Sequence, residues 1–401
     1  MAYSRLHIGF LNVGHFLDHF FLLIFATAAA LALTQQWQIS YAELIPYATA
    51  SFIAFGACTI PAGWLADKWS RENMIAIFFI GIGLSAIATG FATSPVQIGI
   101  GLTFIGIFAA IYHPVGLAMV VQGRSKTGIP IAINGVFGNL GVASAALITG
   151  ALIDLMDWSS AFILPGVVSV LTGLAYLVHI KFGNPKAAQT HASAAKAGAA
   201  AGLNLDKRKW IQVFAIVCFT TALGGLIFQS TTFALPKILD DRLGDLAGSA
   251  TMVGWYAFII FAVAAFAQLV VGYLIDHYSI RRVFIGIALL QAVFLGLMTQ
   301  LSALWSVIGA IAFMLAVFGQ IPINDVLIGR ISRDEWRSRA FAARYIITFS
   351  VMASAIPLIA WIYGQWSANH LFILLSVTAL IIAMAVSILP EKALYDSSNQ
   401  R

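Results

Sequence analysis

The chain is a succession of long apolar runs separated by short polar breaks. An α-helix needs about 20 apolar residues to cross a bilayer, whereas a membrane β-barrel gives short alternating segments. The pattern therefore predicts an all-α membrane protein with twelve transmembrane helices. These predicted helices, numbered in chain order, cover residues 6–33, 43–66, 72–91, 95–121, 129–153, 158–181, 209–236, 247–275, 282–302, 303–329, 338–363 and 367–389.

One polar break is much longer than the others. Residues 182–208 are rich in alanine and glycine and end in a basic cluster, a composition typical of a flexible linker. We therefore expect an N-terminal six-helix half at 1–181, a cytoplasmic linker at 182–208, a C-terminal six-helix half at 209–390 and a cytoplasmic tail at 391–401. The first apolar run is too long for a cleaved signal peptide.

The composition supports a membrane protein and gives its expected orientation. Hydrophobic residues make up 60% of the chain and charged residues 9%, whereas a soluble domain has about 25% charged residues. Of the 22 basic residues, all but Lys237 and Arg242 lie on the expected cytoplasmic side. The positive-inside rule then places both termini in the cytoplasm of a bacterial-type inner membrane. The net charge of +6 is thus a topology signal, and we expect no nucleic-acid partner.

A short motif occurs twice, at equivalent helix ends. Predicted helix 2 ends in Gly63-Trp64-Leu65-Ala66-Asp67-Lys68, and predicted helix 8 ends in Gly272-Tyr273-Leu274-Ile275-Asp276-His277. This repeat predicts two tandem, pseudo-symmetric halves with a substrate site near the midplane between them. We expect a cytoplasmic gate formed by Gly63, Asp67, Arg71, Gly272 and Asp276, in which glycine permits close helix approach and Asp67 accepts hydrogen bonds or pairs with Arg71. The alternative is a solvated surface turn.

The first motif, with Arg71 after it, resembles the loop 2–3 signature of the major facilitator superfamily. Three further stretches resemble the fosmidomycin-resistance type of efflux protein: His15-Phe16-Leu17-Asp18, Tyr112-His113-Pro114 and Gly138-Asn139-Leu140-Gly141. The superfamily resemblance implies two six-helix halves that alternate access to a central site. The narrower resemblance implies export of a small compound in exchange for protons.

Ionisable side chains inside the apolar runs are the candidates for function, because a charge in hydrocarbon is costly. Predicted helix 1 places Asn12, His15, Asp18 and His19 on one polar stripe. We expect Asp18 to accept a hydrogen bond from a histidinium one turn away, and His113 to lie at a similar depth. The cluster is interpreted as a proton or substrate site; a structural contact and a transition-metal site are the alternatives. We expect neither a metal nor a cofactor.

Other candidates lie in predicted helices 5, 10 and 11. Asn139 lies among glycines that favour tight packing, with contact to substrate as the alternative. Asn324 and Asp325 lie near the end of helix 10, and Arg344 lies at a similar depth in helix 11. Asp325 and Arg344 are expected to form an ion pair; the alternative is an arginine that binds an anionic substrate.

These features together predict a secondary transporter rather than an enzyme. We find no Walker motif or nucleophile elbow in the sequence, and no nucleophile stands beside His15 and Asp18. The expected function is proton-coupled efflux of a small polar or amphipathic compound, and the alternative is proton-coupled uptake of an organic anion or metal chelate. The expected partners are the substrate, protons and the bilayer, and the chain is expected to be a monomer.

Overall fold

Twelve helices that are long and apolar enough to cross a membrane make up the described part of the chain, confirming the predicted fold class. The computed structural model describes residues 3–124, 127–183, 207–331 and 334–390. The spanning helices are α1 Arg5–Trp37, α2 Tyr41–Lys68, α3 Arg71–Gly90, α4 Pro95–Val121, α5 Gly128–Leu155, α6 Ser160–Phe182, α7 Arg208–Ala247, α8 Ala250–His277, α9 Ile280–Leu297, α10 Ala303–Ile328, α11 Ile346–Gln365 and α12 Ala368–Ser387.

Serine residues cap the first turns of several of these helices. The side chain of Ser70 accepts a hydrogen bond from the Asn73 amide at the start of α3. Ser94 does the same before α4, where Pro95 is the first helical residue. Ser279 receives the Arg282 amide before α9. Each serine satisfies an amide that the first helical turn leaves without an intrahelical partner.

Proline acts differently in α4 and α7. The helix of α4 is interrupted between Ala109 and Tyr112, as expected, because Pro114 has no N–H to offer to the Ala110 carbonyl. By contrast, the predicted end of helix 7 at residue 236 is wrong. The α-helical part of α7 continues to Leu243 with Pro236 inside it, and a 3₁₀ turn follows at Gly244–Ala247. Lys237 pairs with Asp240 and Asp241, one turn further on.

The helices pack in a pattern that repeats after six helices. In the first compact unit α1 packs on α5, and α3 packs on α6. In the second unit α7 packs on α11, and α9 packs on α12. The equivalent helices of the two sequence halves therefore have equivalent neighbours, as expected from the repeated motif.

The N-terminal part of α8 belongs to the first compact unit. Within the described residues that unit contains α1–α6 and residues 247–259, and the second contains the rest of α7–α12. Asp154 explains this membership: its Oδ2 accepts hydrogen bonds from the Thr251 amide at 2.7 Å and the Thr251 hydroxyl at 2.6 Å. Gly150 also approaches α8 closely, because an added Cβ there would lie 2.2 Å from the Ala250 carbonyl oxygen. The division at 182–208 remains a prediction.

Candidate functional site

Three histidine rings meet inside the first unit, where α1 crosses the interrupted part of α4. The ring centroids of His15 and His19 lie 5.0 Å apart, and each lies 5.3 Å from the ring of His113. The one-turn spacing in α1 puts His15 and His19 on the same face, and the break before Tyr112 brings His113 to them. The structure thus brings together three residues that the sequence marked as one candidate site.

Asp18 completes the cluster from the same face of α1. Its side chain is fully buried, and its Oδ2 lies 3.3 Å from Nε2 of His113. The expected partner, a histidine one turn away on α1, is not the one found: Asp18 pairs with a histidine of another helix. The reason is that the His15 ring turns towards α5, where its Nδ1 lies 2.7 Å from the Asn134 carbonyl oxygen.

His15 is held in one orientation and one tautomer. A carbonyl oxygen only accepts hydrogen bonds, so Nδ1 of His15 carries the proton and donates to Asn134. The ring stacks on Tyr112 with centroids 4.9 Å apart. Gly138 makes room on α5, since an added Cβ would lie 2.7 Å from Nε2 of His15. That Nε2 is buried and has no hydrogen-bond partner among the described residues.

Tyr112 and Asn134 belong to a network of uncharged hydrogen-bonding groups next to the histidine cluster. The Tyr112 hydroxyl donates to the Leu11 carbonyl oxygen at 2.6 Å. The Asn134 amide donates to the Asn12 Oδ1 at 2.9 Å and to the Tyr112 hydroxyl oxygen at 2.8 Å. The sequence analysis did not assign Tyr112 and Asn134 to the site. Two sequence features could have indicated these site residues: Asn134 is polar within an apolar run, and Tyr112 directly precedes His113.

The remaining candidates lie on α5 of the first unit and in the second unit. Asn139 is half-buried on α5, and Asp325 is half-buried on α10. Asn324 is buried and accepts a hydrogen bond from the Thr220 hydroxyl of α7 at 3.4 Å. The side chain of Arg344 lies outside the described residues, so its expected pair with Asp325 remains a prediction.

The first copy of the repeated motif makes the expected local contacts. Arg71 donates to Asp67 Oδ1 at 2.6 Å and to the side chain of Gln122 at 3.3 Å. Gly63 lies against Pro114, since an added Cβ would be 3.3 Å from the proline Cβ. This glycine therefore lets α2 approach α4 next to the histidine cluster.

The second copy of the motif is more open. An added Cβ on Gly272 would have no atom within 4 Å, whereas one on Gly63 would lie 3.3 Å from Pro114. Close helix approach at this end is therefore a property of Gly63 but not of Gly272 in this conformation.

The histidine cluster also has the composition of a metal site. One ring nitrogen from each of His15, His19 and His113 lies within 4.8 Å of the others. Histidine nitrogens are common ligands of zinc and similar ions.

A family model described as Major Facilitator Superfamily matches residues 11–245 and 217–399. The chain is 25% identical over 295 residues to the 4-hydroxybenzoate transporter PcaK of Pseudomonas aeruginosa, covering 66% of this chain and 64% of that protein. It is 30% identical over 113 residues to the puromycin resistance protein pur8 of Streptomyces alboniger, covering 27% and 22%. The chain thus spans less than two thirds of the length of these relatives.

A solved structure supports the same fold. A bacterial homologue of the human lysosomal transporter Spinster, in an inward-facing and occupied conformation, aligns with a TM-score of 0.73. The alignment covers 99% of this chain and 97% of that chain at 13% sequence identity, so the likeness concerns the fold alone.

Proposed function

Because the chain belongs to the Major Facilitator Superfamily, we propose that it is a proton-coupled transporter that takes up a small organic anion. The observation that carries the proton coupling is the fully buried Asp18 carboxylate beside His113. The substrate class is supported by the relative named for 4-hydroxybenzoate. We place both termini in the cytoplasm of a bacterial-type inner membrane, and the transporter works as a monomer. The narrower likeness to fosmidomycin-resistance proteins remains a prediction.

The pair of Asp18 and His113 couples protonation to the cost of burial. When His113 carries a proton, the pair is neutral overall and its two charges compensate each other. When the proton leaves, a single carboxylate remains in a membrane-spanning helix, where an uncompensated charge is costly. The protonated pair therefore favours a closed site, and the deprotonated pair favours a state in which water reaches Asp18. Alternating access exposes the pair to each side in turn.

Export by antiport is the second candidate, and the match to a puromycin resistance protein favours it. The same protonation chemistry serves both directions. In antiport the proton and the substrate compete for the site, whereas in symport they bind together. The two candidates therefore differ in which gradient drives accumulation.

The test is transport by the full chain in proteoliposomes with an imposed pH gradient. We expect labelled 4-hydroxybenzoate to accumulate inside when the outside is more acidic, and a proton uncoupler to abolish this accumulation. Accumulation of puromycin in vesicles with an acidic interior would instead establish antiport. Transport of either compound at the same rate with and without the pH gradient would contradict proton coupling.

In the second unit, Asp325 and Arg344 are predicted to form an ion pair, with binding of an anionic substrate by Arg344 as the alternative. We expect Asp325→Asn and Arg344→Gln each to reduce transport strongly, because each leaves one charge without its partner inside the protein. The double neutral variant is expected to recover part of the lost thermal stability. Thermal unfolding in detergent measures this, and stability losses that simply add in the double variant would contradict direct pairing.

The ion pair between Asp67 and Arg71 is predicted to contribute to the cytoplasmic gate. We expect Asp67→Asn to slow transport several-fold while membrane insertion is kept, because Asn cannot form the ion pair with Arg71. The pair is exposed, so the effect on stability is expected to be small. Asp276→Asn, in the more open second copy, is the matched control and is expected to reduce transport less. Wild-type transport rates in Asp67→Asn would contradict a gating role.

A further inference from the structure

We propose that His15, His19 and His113 form a binding site for one divalent ion of the zinc and cobalt type. One ring nitrogen of each lies within 4.8 Å of the others. Helix α1 offers two ligands one turn apart, the spacing that puts two histidines on one metal, and α4 offers the third. The proposal goes beyond proton-coupled transport and does not depend on it.

The hydrogen bonds around the histidines are those that metal-binding imidazoles make. Such an imidazole donates one N–H to a carbonyl or carboxylate and keeps a lone pair on the other nitrogen. His15 donates Nδ1–H to the Asn134 carbonyl oxygen at 2.7 Å, which leaves the lone pair on Nε2. That buried nitrogen has no hydrogen-bond partner among the described residues. This nitrogen can donate its lone pair to a metal ion.

His113 faces a carboxylate in place of a carbonyl. Its Nε2 lies 3.3 Å from Asp18 Oδ2, so Nε2 is turned to the carboxylate and Nδ1 is the nitrogen left for an ion. Two of the three histidines thus have an outer partner of the kind that orients metal ligands. The Asp18 carboxylate also offsets part of the positive charge that an ion would bring into the membrane.

The site is held firmly on one side. The His15 ring lies between the Tyr112 ring, 4.9 Å away between centroids, and Gly138 of α5. The rings of His19 and His113 are set edge to face, with an interplanar angle of 76°. Bringing three nitrogens onto one ion therefore needs small rotations of His19 and His113 around a fixed His15.

The ligand set selects the class of ion. Imidazole nitrogens suit Zn²⁺, Co²⁺, Ni²⁺ and Cu²⁺, whereas Mg²⁺ and Ca²⁺ prefer oxygen ligands. Three protein ligands leave a fourth position open for water or a carboxylate. Because the ion binds neutral imidazoles, its binding competes with protons. If the proposed proton coupling holds, the ion also inhibits transport, because a histidine that holds the ion cannot take up a second proton.

The test is metal binding by the full chain purified in detergent at mildly alkaline pH. Calorimetry with Zn²⁺ should give one ion per chain, and Co²⁺ should develop the visible absorption of a tetrahedral complex. Binding should weaken as the pH falls, and Mg²⁺ should not compete. The absence of Zn²⁺ binding, or binding of Mg²⁺ with equal affinity, would overturn the proposal.

Variants locate the ion. We expect His19→Gln to remove the Co²⁺ absorption and Asp18→Asn to weaken binding by about 10–100-fold, as for other outer partners of metal ligands. His277→Gln is the matched control, since His277 is exposed at the end of α8. Equal affinity in wild type and His19→Gln would show that the ion binds elsewhere. Because binding is measured without a gradient, a failure of proton-driven transport is distinguished from a failure of this site.

Discussion

Replacing Asp18 by Asn is expected to abolish accumulation driven by a pH gradient while exchange of substrate at equal pH partly continues. Asn has nearly the shape of Asp and keeps a hydrogen-bond acceptor for His113, but it carries no charge. The pair, of which only the Asp18 carboxylate is fully buried, then loses the difference in burial cost between its protonated and deprotonated forms. Substrate can still exchange because alternating access itself does not require the charge.

Two assays on the same proteoliposomes separate coupling from transport. Counterflow of labelled substrate at equal pH measures exchange, and uptake under an acid-outside gradient measures coupling. Gln at His113 is expected to produce the same uncoupling or to shift the pH optimum. Unchanged pH dependence in both variants would place the proton site elsewhere, with Asp325 as the next candidate.

An acidic residue outside the membrane-spanning helices is the control. Asp157 is exposed before α6, where it accepts hydrogen bonds from the Ser160 amide and hydroxyl, each at 2.8 Å. These bonds hold the pKa of its carboxyl below the usual range. Asp157 therefore stays charged throughout the pH range of the assay, and Asp157→Asn should leave the pH dependence of transport unchanged.

The structural features that the sequence predicted correctly are those that depend on a single helix. The number of spanning helices follows from the length of apolar chain that crosses the hydrocarbon, and the break in α4 follows from the missing N–H of Pro114. The shared face of His15, Asp18 and His19 follows from helical periodicity alone.

What depends on contacts between helices could not be predicted. The sequence spacing favours a partner for Asp18 on α1, but the ring of His15 is drawn away to a backbone carbonyl of α5. No local sequence pattern indicates that the Asn134 side-chain amide donates a hydrogen bond to the Tyr112 hydroxyl oxygen next to the histidine cluster. The membership of residues 247–259 in the first unit likewise rests on Asp154 capping a helix distant in sequence.

The sequence predicts only that the glycines of α5 favour tight packing. The structure shows that they differ in how closely neighbouring atoms approach them. An added Cβ on Gly141 would lie 2.2 Å from the carbonyl oxygen of Phe16 in α1, whereas on Gly135 it would have no atom within 4 Å. The first contact is with backbone, which cannot rotate away. Any side chain at residue 141 must therefore push α1 away from α5. The same displacement lengthens the hydrogen bond from His15 in α1 to the Asn134 carbonyl oxygen in α5.

Gly141→Ala is consequently expected to destabilise the protein by about 1–3 kcal/mol, the usual cost of overpacking a tight contact. Gly135→Ala, in the same helix, is expected to stabilise it by about 0.5–1 kcal/mol, because alanine loses less backbone entropy than glycine on forming a helix. Thermal unfolding of the two variants in the same detergent measures both effects, and transport should be lost only in Gly141→Ala. Equal unfolding temperatures would contradict the close packing of α1 on α5 that positions His15.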